Sequence, residues 1–229
     1  MINISKKVVI VSILVSGIAI LSAYSKPMAN MQLMGTLTAM ESPSEDMLDA
    51  IDNKNTHKLN ALYHKLTISM EKLNSLPTKN DIQDRKIAML NSWFDLISLE
   101  MDEMDDFPAL ANAINQFSGQ LIIATEFDHS YQKEIAWMDY LGRELLLLNK
   151  SPSTSAHHEA LLRVRKAELN ETWKSIKFLL NEQGGRTLVK KVDPTIQLIL
   201  KESDPSKLVI LSMKELDLVD DIESFFHID

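Results

Sequence analysis

Apolar residues recur along most of this chain at three- and four-residue steps, the spacing that lines up one face of an α-helix. Leu59, Leu62, Tyr63, Leu66, Met70 and Leu73 form one such stripe after Thr56-His57, and Pro77 stops it. Asp81 opens the next, with Ile82, Ile87, Leu90, Phe94, Ile97, Met101 and Met104. Phe107-Pro108 starts another through Leu110, Ala113, Ile114, Phe117, Leu121 and Ala124, and a pause at Asp128-His129-Ser130 leads into Ile135, Trp137, Met138, Leu141, Leu145 and Leu148. Periodicity alone leaves residues 109–149 readable as one bent helix or as two.

The pattern before and after these stripes is equally helical. A first helix is expected from Pro27 through Met28, Met31, Met34, Leu37 and Met40, interrupted at Glu41-Ser42-Pro43 and resumed with Ser44 as its cap. Ser151-Pro152-Ser153-Thr154-Ser155 reads as an interior linker. Beyond it, Leu161, Leu162, Val164, Leu169, Trp173, Ile176 and Leu180 predict one long helix ended by Gly184-Gly185. Pro starts and Lys/Glu spacing favour helices over buried strands at Ile196–Leu200 and Leu208–Leu211. The fold class is therefore an all-α, exported helical bundle: about four helices in the N-terminal half, over residues 26–150, a linker at 151–155, and a C-terminal helical portion over 156–229 packed on the first bundle or beside it.

One stretch has a different pattern. Lys6-Lys7 precedes the apolar run Val8–Leu21, and Ala23 and Ser25 supply small residues before Lys26-Pro27. That order predicts a signal peptide over residues 1–25 and a periplasmic or otherwise exported domain. If residues 6–21 were retained, the same run would tether the protein to the membrane by its N-terminus, although it is shorter than the roughly 20 residues of a stable span. An exported chain with no cysteine has no disulfides, thiolate metal sites, thiol nucleophiles or covalent haem attachment, so packing alone stabilises it. The formal charge of −8 becomes −10 without Lys6 and Lys7, which argues against nucleic acid as a partner.

Candidate chemistry rests on Met, His and carboxylates. Met28, Met31, Met34 and Met40 bring thioethers to helical spacing, and thioethers bind soft Cu(I); the competing reading is that these methionines fill a helical core. His57 and His64 lie about 10 Å apart along one helix, too far to share a metal without help from another element. Glu126-x2-His129 is a single Glu-x-x-His, whereas a di-metal bundle needs two. No Gly-x-Ser-x-Gly elbow, phosphate-cradling glycine loop or His-Glu-x-x-His helix is present, so no enzyme activity is expected.

Residues 28–149 resemble, in overall proportions, the exported four-helix bundles of the cytochrome b562 and cytochrome c-prime kind: an early Met-bearing helix, an acidic turn at Asp52–Asn55 and a Leu/Met-rich second helix. The resemblance implies non-covalent haem held between Met31 or Met34 and His129. The covalent type is excluded by the missing Cys-x-x-Cys-His. Trp93, Trp137 and Trp173 lie in apolar stripes, and Arg143, Arg163, Arg165 and Lys166 offer positive charge to an acidic partner. The expected function is a non-enzymatic binding, adaptor or structural component of the cell envelope, partnered by an envelope protein or by itself; the alternative is a periplasmic copper or haem carrier.

Overall fold

The structure, a computed structural model, describes residues 31–78, 80–103, 106–151, 153 and 155–228. The expected signal segment and Met28 lie outside the described residues. Among them the secondary structure is all helical: α1 (31–38), α2 (Glu41–Asp52), α3 (Thr56–Ser75), α4 (Asp81–Glu103), α5 (Phe107–Ala124), α6 (Ser130–Lys150), α7 (Ala156–Glu182), α8 (Arg186–Lys201) and α9 (Pro205–Phe226). No described helix is long and apolar enough to cross a membrane.

Side chains chosen for turn chemistry set most boundaries. The Asn55 carboxamide oxygen accepts from the Lys58 amide at 3.0 Å and caps α3. Asp106 caps α5 by accepting from Ala109 N at 3.0 Å, with Pro108 in the first turn. Ser155 caps α7 through His158 N, and Asp204 caps α9 through Ser206 N. After α7, Gly184 takes φ +88° and Gly185 N reaches back to Leu180 O at 2.6 Å, the left-handed stop expected of a glycine pair. Residues 109–149 resolve into two helices because Thr125–His129 leaves helical geometry. Two proline expectations differ from the outcome. The chain turns at Ala39-Met40 and α2 begins at Glu41, with Pro43 in its first turn, where backbone N–H groups have no intrahelical partner to lose. Pro194 sits inside α8 rather than before it.

Two hydrophobic cores divide the chain between α5 and α6. The first gathers Leu33, Met40, Met47, Leu66, Met70, Leu90, Ile97 and Phe117 from α1–α5 and the turn after α1. The second gathers Met138, Leu141, Leu169, Trp173, Ile176, Val192, Ile196, Leu208 and Ile222 from α6–α9, with Ile122 contributed by α5. Helix α6, placed by the sequence in the 26–150 bundle, thus packs on α7 and α9. Helix α5 is buried nearly all round, packing on α2, α4 and α6. Two glycines allow the close approaches at the centre. A Cβ on Gly119 would stand 2.9 Å from the Tyr140 ring of α6, and one on Gly142 would collide with Glu215 of α9.

Candidate functional site: an acid-lined cleft between the two cores

Where the two cores meet, α2 faces α6 and α9 across a cleft floored by α5. Four α2 carboxylates, Glu41, Glu45, Asp49 and Asp52, recur at helical spacing and share one face. The opposite wall carries Asp139, Arg143 and Lys150 of α6, also on one helical face, with Asp220 and Glu223 of α9. Two ion pairs cross the gap: Arg143 Nη1 to Glu45 Oε1 at 2.8 Å and Lys150 Nζ to Asp52 Oδ2 at 2.6 Å. Arg143 also pairs with Asp139 one turn earlier on its own helix.

The cleft has two chambers, of about 480 Å³ and 320 Å³, that share Glu45, Asp139 and Arg143 in their walls. The larger has an apolar side formed by Leu37, Leu121, Ile122 and Ala136, and a polar side where Glu41, Glu45, Glu126, Asp128, Asp139 and Glu223 face a single cation, Arg143. Burial dominates the behaviour of the acids here. It pushes the Asp139 carboxyl up to about 6 even though Arg143 pulls the other way, with Glu45 adding to the rise. It pushes Glu223 up to about 7, reinforced by Asp139 and Asp220. Immediately behind this wall, Glu215 of α9 is fully buried, its carboxyl held well above the ordinary range by burial and by Asp139.

Two serines of the larger chamber are committed to helix hydrogen bonds: Ser44 Oγ donates to Glu41 O at 2.7 Å, and Ser118 Oγ lies 3.2 Å from Ile114 O and 3.3 Å from Ser44 Oγ. No histidine is among the residues lining the chamber. The arrangement can hold positive charge against an apolar floor.

The methionine set is spread over different environments. Met31 is 75% exposed, while Met40 is 0% exposed and part of the first core. Met34 packs at the edge of that core, and its Sδ accepts from Glu126 N at 3.3 Å. His57, His64 and His129 are exposed, and His129 stacks on Tyr131. No described group of three or more His, Asp or Glu side chains is arranged to hold a metal ion. The basic residues read as an offer to an acidic partner are partly used internally. Arg143 joins the cleft pairs, and Arg165 pairs with Glu168 at 2.7 Å and Glu144 at 3.4 Å. Trp173 is buried, with Nε1 donating to Asp193 at 2.9 Å.

Sequence reasoning passed over Asp139, Glu223 and Glu215. A signal for one of them was present: Glu215 falls in register with the apolar Leu208, Val219 and Ile222, where an ionisable side chain must be buried. Asp139 lies instead on the α6 edge beside its stripe, and only the approach of α2 and α9 gives it acidic neighbours. In comparisons with protein-family models, with curated proteins and with solved structures, the chain matches none.

Proposed function

We propose that this protein is a non-enzymatic binding component of the cell envelope, and that its ligand is an organic cation, an amine- or guanidinium-bearing molecule with an apolar body. The larger cleft chamber carries this reading. Six carboxylates and one arginine surround a space of about 480 Å³ with an apolar floor, a size within the ordinary range of small-molecule sites. Positive charge entering the chamber meets a wall richer in carboxylates than in cations, and its apolar part meets Leu37, Leu121 and Ile122.

Titration calorimetry of the signal-free protein with spermidine at low salt tests the reading. Binding on the order of 10–100 μM is expected, weakening as salt screens the acids. Glu41→Gln combined with Glu223→Gln should weaken it about tenfold, a change of about 1.4 kcal/mol. Absence of heat at millimolar spermidine, or identical binding by the double variant, would sink the assignment. The export part has its own check: the N-terminus of the mature protein from producing cells is expected at Lys26, and a chain retaining Val8–Leu21 would instead support the membrane tether.

A further inference from the structure

Helices α6 and α9 make the most extensive helix pair in the molecule, and an acid sits inside their contact. Glu215 is 0% exposed, and neither carboxyl oxygen has a hydrogen-bond partner. Its Oε2 occupies the space a Cβ would take at Gly142, so the close approach of the two helices is shaped around this side chain. Ser212, one turn earlier on α9, is also buried with its hydroxyl unpartnered. A methionine or leucine of similar volume would fill the site without leaving polar atoms unsatisfied, so packing alone does not account for a glutamate here.

The surroundings offer a negative charge little compensation. The charged groups acting on Glu215 are Asp139 and Arg143 of α6. Arg143 is already engaged by Glu45 and Asp139. Helix α8, the other element packed on α9, brings Lys191, which pairs with Asp221 at 3.2 Å on the outer face. The remaining acids of α9 nearby, Asp220 and Glu223, face the cleft and add negative potential.

We propose that α9 is a proton-dependent latch: it stays seated on α6 while Glu215 carries a proton, and loosens when that proton is lost to solvent. The direction follows from linkage. Burial raises the pKa of this carboxyl in the seated state above its value in solvent. The seated state therefore binds the proton more tightly than the open state. Seating is strongest below the ordinary carboxylate range and is lost as pH rises toward the raised value, by about tenfold in the opening equilibrium per pH unit for one group. Asp139 and Glu223, shifted the same way, add to the loss.

Hydrogen exchange of the whole chain, followed by mass spectrometry and corrected for the intrinsic pH dependence of exchange, reads the latch without any ligand. Between about pH 5 and about pH 8, protection across α9 should fall by about tenfold or more, while protection across α3 is maintained. Glu215→Gln should match the unaltered protein at the acid end and exceed its α9 protection by about tenfold at the alkaline end. Glu215→Met repeats the test with no polar group should the amide disturb packing. In the unaltered protein, the infrared C=O stretch of a protonated, unbonded carboxylic acid should be present near neutral pH and absent from either variant. Protection of α9 that holds across the range, or variants that fall in parallel with the unaltered chain, would overturn the proposal.

Discussion

The two cores are built from the same kind of amphipathic helix, yet they bury different things. Around α1–α5 the buried polar side chains among the described residues are neutral: Thr36, Ser44, Gln83, Asn115 and Ser118. The α6–α9 core buries Glu144 and Glu215. The buried side-chain atoms lacking a hydrogen-bond partner follow the same division: apart from Asn115 Oδ1, those among the described residues belong to α6–α9. A core of neutral groups has stability set by volume and area, which pH does not alter. A core holding acids has stability that follows protonation, so one chain carries a constant half and a conditional half.

The sharpest way to break the first half is to empty it. Phe117 is fully buried at the centre of the α1–α5 core, in tilted contact with Phe94 at 6.5 Å between ring centroids. Phe117→Ala should lower unfolding free energy by about 4 kcal/mol in urea titrations, with the same loss at acid and neutral pH. The second half breaks through charge instead. Glu144 Oε2 accepts from Asn115 Nδ2 and Gln116 Nε2, both at 2.8 Å, while Arg165 stands 3.4 Å from Oε1 and 5.9 Å from the Tyr140 ring centroid. Glu144→Ala strands these donors and should destabilise by about 3 kcal/mol. Equal effects of this change at low and at high ionic strength would erase the distinction between the cores.

Overpacking gives a smaller and more local effect. Gly142→Ala drives a methyl group into Glu215 and Leu216 of α9 and should cost about 2 kcal/mol, read as selective loss of α9 protection rather than uniform softening. The pH profile sharpens the comparison further. Folded-state proton affinity is raised at Asp139, to about 6, and at Glu223, to about 7, so their contribution is present below the ordinary carboxylate range and lost as pH rises through those values. Thermal melts should therefore fall from about pH 5 to about pH 8, and Asp139→Asn with Glu223→Gln should flatten that slope. The smallest expected effect lies between the cores. Lys150 pairs with Asp52 with both side chains substantially exposed, so Lys150→Met should change stability by at most about 1 kcal/mol, an effect that disappears in high salt.

How much of this was legible in the sequence depended on distance along the chain. The stripes Leu59–Leu73 and Leu161–Leu180 and the Gly184-Gly185 stop depend on neighbours within a few turns, and they appear as helices α3 and α7 and their ends. The lobe boundary did not follow composition. Ser151–Ser155 has the residues of a linker, but α6 before it and α7 after it pack together in one core. The break at Thr125–His129 carries fewer turn formers and yet separates the cores. The cleft was least legible, because Glu45, Asp139 and Glu223 come from three helices separated by more than 80 residues, and no local period links them. Met31 and Met40 show the complementary limit: a shared helical spacing put them in one set, and the turn at Ala39-Met40 sends Met40 into the core while Met31 stays at the surface.

Helix α5 has a consequence for the order in which the chain is made. Every helix of the first core precedes α6 in the sequence, so a growing chain can complete that core while its C-terminal half is still being synthesised. At that stage Ile122 and Gly119, which meet α6 in the finished protein, lack their cover, and Asn115 and Gln116 beside them lack their partners Glu144 and Tyr140. The half-made protein is thus a folded body with one adhesive strip, and the arrival of α6 is the event that covers it.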